Sequence, residues 1–237
     1  MKISGCKPGK YGILSNNMTG FTALTFPPDP VAKRDAGSDL VRGAALSVQQ
    51  GAMMDPIEIA KLLNATGLKY LFVGAHAINA YTRQPRATED IDLVAQYPEK
   101  VRDVLTHAYP QLEVISTIVV IRMLIDGREA IDVIRPISSK VFKASLKYGV
   151  MFNAGKTPMP VPRVEALLAL KFTSMISITR PVLDRQQDAV DFGRVVQATQ
   201  SIDLKLLHTL AQLAFDGGGD EALKMIALVR AGKAIQI

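Results

Sequence analysis

The segment Val73–Val94, VGAHAINAYTRQPRATEDIDLV, constrains this chain more than any other. Asp90 and Asp92 stand one residue apart at the head of an apolar run, Asp90–Ala95, that reads as a strand. On a strand, residues i and i+2 share a face, so the two carboxylates project together while Ile91 and Leu93 turn to the core. Unpaired carboxylates held away from water are costly, and two side by side repel each other unless a cation or a proton is shared. The fold must therefore bring a cation to this strand. Two readings compete: ion pairing with Arg83 and Arg86, in the loop just ahead, or a bound metal.

The elements around this strand follow from local signals. Asp55-Pro56 reads as the N-cap and first position of a helix running through EIAKLLNATG. Lys69–Gly74 is a short strand and AHAINAYTR a short helix; Pro98–Tyr109 is a helix opening on proline. TIVVIRMLI and EAIDVIRP are two strands, and the Asp126-Gly127 pair between them is a hairpin signal. The order from residue 55 to 135 is α-β-α-β-α-β-β. After Pro136 the chain reads as mostly helical, with a short extended stretch around FNAGKTPMPVP and a loop at Asp216–Asp220. The fold class is α/β (α+β): a mixed sheet with packed helices over 53–136, then a helical part over 137–237. Residues 1–52 carry FPPDP and scattered Gly, Ser and Asn, and read as an irregular extension or as sequence upstream of a true start at Met53 or Met54.

A third acid repeats the pattern of acid out and aliphatics in: Asp132, between Ile131 and Val133. Mg²⁺ takes a few carboxylates plus substrate phosphates, and three acids at one sheet edge suit two metals about 3.5–4 Å apart. Backbone N–H groups at the Gly74-Ala75 turn, which opens a helix, suit a phosphate chain. Arg83 and Arg86 are placed to meet phosphate charge. Lys171, in an otherwise apolar helix, either snorkels to the surface or reaches the phosphates. Arg86 and Thr88 read equally as structural: Thr88 fixing the loop, Arg86 offsetting the acids. Asp188 and Asp191, one turn apart, read as a solvated face or, for Asp188, as orienting Lys171.

These residues resemble the DNA polymerase β-type nucleotidyltransferases, in which a Gly-Gly or Gly-Ser turn precedes an Asp-x-Asp strand. The ending Arg86-Ala87-Thr88-Glu89-Asp90-Ile91-Asp92-Leu93 is similar to that of the abortive-infection (AbiEii-like) toxin branch, and VEALLALKFTSM and DRQQDAVDF are similar to its later motifs. The likeness is good over about 68–135 and looser over 160–196. Here Ala75 stands for the second Gly, and Tyr81-Thr82 where many relatives carry His-Gly. The resemblance implies an Mg²⁺-dependent enzyme, using two ions or Mn²⁺ in their place, that moves an NMP from an NTP to an acceptor hydroxyl. Asp90, Asp92 and Asp132 would hold metal, with Asp132 completing it or serving as base. Gly74, Ala75, Arg83, Arg86, Thr88, Arg185 and Asp188 would serve the nucleotide, and Lys171 the phosphates. Acceptors in such a family include tRNA ends, proteins and small antibiotics, and the toxin branch implies an antitoxin partner. The alternative reading is a catalytically weak protein of the same fold that acts as a nucleotide-binding or regulatory partner.

Composition narrows the rest. The formal charge of +6 points faintly to a polyanionic partner such as RNA, and residues 1–54 carry six Lys/Arg against three Asp. The single cysteine, Cys6, rules out an internal disulfide framework and a cysteine zinc site. No apolar run has the length of a membrane span or signal peptide, which predicts a cytoplasmic protein. Neither GCKPGKYG nor Gly155-Lys156-Thr157 is a P-loop: the spacings are wrong, and Pro158, Pro160 and Pro162 forbid the helix that must follow. His76, His107 and His208 show no ligand spacing, with His76 an outside candidate near the nucleotide.

Overall fold

The computed structural model describes residues 54–82 and 86–235. The expectations for residues 1–52, for Cys6 and for Arg83 lie outside them. Five strands form a mixed sheet: β1 (Tyr70–Phe72), β2 (Ile91–Ala95), β3 (Glu113–Ser116), β4 (Val120–Ile125) and β5 (Arg128–Ile134), in the order β1-β2-β5-β4-β3. Only β2 and β5 run parallel. The parallel pair lies in the middle, where both faces are covered and strands are apolar almost throughout. Ile91, Leu93, Ile131, Val133, Ile121 and Met123 share one face and are all buried. The opposite face carries the acids.

Helices α1 (Pro56–Thr66), α2 (Gly74–Tyr81) and α3 (Pro98–Ala108) alternate with the first strands as the spacing predicts. Asp55 Oδ1 accepts from the Ile57 N–H at 2.8 Å, and Pro56 follows at the position where a missing N–H costs nothing. The Asp126-Gly127 turn has φ of 52° and 72° at its two residues, the left-handed pair that a two-residue hairpin requires. Two elements were not legible. One is β3, whose four residues are all exposed at the sheet edge.

The other is a hairpin where the sequence predicts a single short extended stretch, around FNAGKTPMPVP. Beyond a 3₁₀ turn (Pro136–Ser138) and α4 (Lys140–Ser145), β6 (Gly149–Ala154) pairs with β7 (Thr157–Pro162). Prolines argue against a strand, yet here Pro158, Pro160 and Pro162 recur at every second position. Successive N–H groups alternate sides along a strand, so these three all face away from β6 and no ladder hydrogen bond is lost. The hairpin is tied to the first elements: the Asn64 amide donates to Pro158 O at 2.8 Å and the Tyr81 hydroxyl to Pro162 O at 2.8 Å.

The chain ends in α5 (Val164–Met175), α6 (Val182–Ala198), α7 (Leu204–Ala211) and α8 (Gly218–Arg230). Helix α8 starts inside the glycine run expected as a loop. Helix α5 is buried on nearly every side, including at Glu165 and Lys171. No helix among the described residues is long and apolar enough to cross a membrane.

Candidate active site

A cavity of about 390 Å³ opens between the acid-bearing face of the sheet and helices α5 and α6. On the sheet side, Asp92 and Asp132 are register partners on β2 and β5, and Arg122 of β4 is the next partner beyond Asp132. Paired residues share a face, so the three form one row, acid, acid, arginine. Asp90 lies at the bend just before β2, one residue short of the strand expected there. Its Oδ1 accepts from the Thr88 hydroxyl at 2.5 Å, so Thr88 does fix the loop.

Asp92 is the most perturbed acid. Burial first, then repulsion from Asp90 and Asp132, push its pKa up to about 7, against the opposing pull of Lys171 and Arg180. The carboxyl rests against Gly74, which has φ of 55°; a Cβ there would stand 1.9 Å from Asp92 Oδ2. The sequence reading gave Gly74 to a phosphate chain. The geometry gives it a prior duty, to admit both a left-handed backbone and the acid beside it.

Neither Asp90 nor Asp92 is paired with Arg86. That side chain turns the other way, to Asp191 at 3.0 Å, and its backbone N–H and carbonyl are clamped by the Asn79 amide at 2.7 and 2.9 Å. Asp132 has the arginine partner instead: both its oxygens are held by Arg122, at 3.0 and 2.8 Å. No group of three acid, histidine or cysteine side chains closes to metal-holding distance among the described residues. The expected trio of Asp90, Asp92 and Asp132 lines one cavity but is not drawn together.

The helix side of the cavity is built from cations on carboxylates. Lys171 Nζ donates to Asp188 Oδ1 and Asp191 Oδ2, each at 2.8 Å, and all three are buried. Arg180 lies 3.2 Å from the other Asp188 oxygen, and Gln187 donates to Asp191 Oδ1 at 3.0 Å. Lys171 is therefore not a snorkelling residue, and Asp188 and Asp191 are not a solvated face. The signal that pointed to them was one lysine in a helix with no other polar need. Arg122, Arg180 and Glu129, all of which line the cavity, were missed. Arg185 does not line it, and neither does His76. The Nδ1 of His76 has no hydrogen-bond partner among the described residues, and its ring sits 6.0 Å from that of Phe72.

Gly74, Ala75, Arg86, Thr88, Lys171 and Asp188 thus meet the three acids around one opening. Among solved structures, the chain is similar to an antigenic nucleotidyltransferase-like protein from Paracoccidioides brasiliensis. The TM-score is 0.50 at 15% identity, over 85% of this chain and 96% of that one. The chain shares the fold of that nucleotidyltransferase-like protein. Two further likenesses carry no argument at their scores: JHP933 from Helicobacter pylori (TM-score 0.43, 12% identity, 76% of this chain and 93% of that one) and the antibiotic-resistance factor ANT(2'')-Ia (0.40, 16%, 73% and 86%). No protein-family model and no curated protein matches the sequence.

Proposed function

We propose that the chain is a metal-dependent nucleotidyltransferase that moves an NMP from an NTP to an acceptor hydroxyl. The observation that carries this reading is the two-signed cavity. Asp90, Asp92, Asp132 and Glu129 stand with Arg122 alone on one wall, while on the other Arg86, Lys171 and Arg180 match the charge of Asp184, Asp188 and the Asp191 behind them. A triphosphate with its divalent cation has the same two-signed character.

The donor set fits a hard cation at Asp90 and Asp92. Both are carboxylates without a bonded cationic partner among the described residues, and burial, then repulsion from Asp90 and Asp132, raises the Asp92 pKa to about 7. Mg²⁺, or Mn²⁺ in its place, supplies charge neutralisation of the phosphates and a more acidic acceptor hydroxyl. Gly74 and Ala75 present N–H groups at the start of α2 to the phosphates, and Lys171 and Arg180 meet their negative charge. Thr88 holds Asp90 in place. The acceptor oxygen forms a bond to the α-phosphorus, the α–β anhydride bond breaks, pyrophosphate leaves, and the hydroxyl proton passes to water, with Asp132 as the third carboxylate of the cation site. The finer likeness to the AbiEii-like toxin branch rests on the Arg86–Leu93 ending, and with it a tRNA or protein acceptor and an antitoxin partner.

The test is transfer from each α-labelled NTP with Mg²⁺, with bulk tRNA and with no added acceptor, against Asp90→Asn/Asp92→Asn. Label on RNA or on the protein, absent in the variant, supports the reading and names the acceptor class. Transfer that survives in the variant excludes it.

A further inference from the structure

Strand β5 contains an irregularity that falls beside the acids. Arg122 stands opposite Asp132 and Met123 opposite Ile131, yet Leu124 stands opposite Glu129, which leaves Ala130 as an extra residue. Residues three apart on a regular strand face opposite sides of the sheet. The bulge reverses the alternation and turns Glu129 to the same side as Asp132. The Arg122 guanidinium lies between the two. Its Nε and Nη2 hold Asp132, and its Nη1 holds Glu129. A guanidinium offers donors in a fixed fork and can serve both carboxylates at once, which an ammonium cannot do in this geometry.

We propose that Arg122 gates the site: it occupies Asp132 until a divalent cation takes that carboxylate, and Glu129 is the seat that keeps the displaced guanidinium. The proposal rests on the metal-holding reading above and adds the regulation of its third acid. Both Asp132 oxygens are engaged, so a cation reaching the Asp92–Asp132 row meets a positive charge already in place. The side chains grade outward, from 12% exposed at Asp132 to 36% at Arg122 and 47% at Glu129. An outward swing of Arg122 therefore moves its charge towards water, and Glu129 keeps it partnered. A strand without the bulge would offer no such seat.

The test is Mn²⁺ binding to the full chain, titrated by electron paramagnetic resonance without nucleotide, so that turnover plays no part. Arg122→Gln is expected to bind Mn²⁺ about tenfold more tightly than the wild type, within the range of coupling between linked sites. Arg122→Lys, which keeps the charge but loses the fork, is expected to tighten it by less. Glu129→Gln is expected to weaken binding, and to have no effect on top of Arg122→Gln. Melting temperatures confirm that each variant is folded. If Arg122→Gln tightens binding and Arg122→Lys does not, only the local field has changed and the gate is excluded. Equal weakening by Glu129→Gln in both backgrounds makes Glu129 a direct ligand and excludes its role as seat. If the wild type binds Mn²⁺ and Arg122→Gln binds it no better, the gate fails while the metal reading stands. If Asp90→Asn/Asp92→Asn binds like the wild type, the metal reading fails and the gate with it.

Discussion

The two walls of the cavity are both lined with charge, and they are built in opposite ways. On the α5–α6 wall, two buried carboxylates meet Lys171, Arg86, Arg180 and the Gln187 amide: three of their four oxygens are hydrogen-bonded, and the fourth, Asp188 Oδ2, lies 3.2 Å from Arg180. On the sheet wall, one guanidinium serves two of four carboxylates, Asp132 and Glu129, and the Asp92 carboxyl is pushed up to about 7. A saturated cluster of the first kind holds a fold together, because removing one partner strands another. An under-neutralised cluster of the second kind stores a demand for a cation that the chain itself does not meet. The difference separates a braced wall, whose Arg86 and Arg180 still reach the cavity, from a wall that awaits a cation, although the sequence presents both simply as acids and bases.

Breaking each wall should have different consequences. The largest effect is expected from Asp90→Asn/Asp92→Asn, a loss of nucleotidyl transfer of at least about a thousandfold, or about 4 kcal/mol of barrier, with the melting temperature kept. Unfolding of this variant would make the sheet wall structural after all. Lys171→Met should do the reverse and cost about 3 kcal/mol of stability by denaturant titration, because Asp188 and Asp191 lose their shared cation. A change below about 0.5 kcal/mol would refute the bracing. Gly74→Ala is expected to cost about 2 kcal/mol, from a strained backbone and the displaced Asp92 carboxyl, and to weaken metal binding as well.

A smaller effect has a definite sign with pH. The folded pKa of Asp92 lies above its ordinary value of 3.8, so the folded chain keeps a proton that the unfolded chain releases between about pH 4 and pH 7. Metal-free wild type therefore loses stability from this group as pH rises through that window, and the loss levels off above 7. Asp92→Asn escapes it. The variant should be the more stable of the two at pH 8, and the gain should shrink towards zero near pH 4 in paired melting curves. A gain that does not vary with pH would assign it to packing.

Much of this was legible from the chain. The Asp-Gly turn, the Asp55-Pro56 cap and the apolar β2 are local, and local rules found them. The site was legible as far as it is local too: Gly74, Thr88, Asp90, Asp92 and Asp132 lie within 59 positions of one another and on or beside predicted strands. What was missed depends on register and tertiary placement. Glu129 shares a face with Asp132 only through the bulge at Ala130, and period-two counting puts it on the wrong side. Arg86 sits close to the acids in sequence but bonds Asp191, 105 residues away. Its direction is set by the Asn79 clamp and the position of α6, which no spacing reveals. The alternating prolines of β7 are read as a short extended stretch, but its pairing with β6 depends on the side to which the missing donors point, which the rule for proline does not count.

The central claim is that the two walls together hold a metal–triphosphate, the sheet taking the cation and the helices the phosphates. It is tested most directly by the affinity for an NTP analogue with a methylene between the α- and β-phosphates, measured by calorimetry with and without Mg²⁺, in wild type and in Asp90→Asn/Asp92→Asn. The account predicts that Mg²⁺ tightens binding by about tenfold or more in the wild type and has no effect in the variant. Binding indifferent to Mg²⁺ in both proteins, or no binding in either, would contradict it.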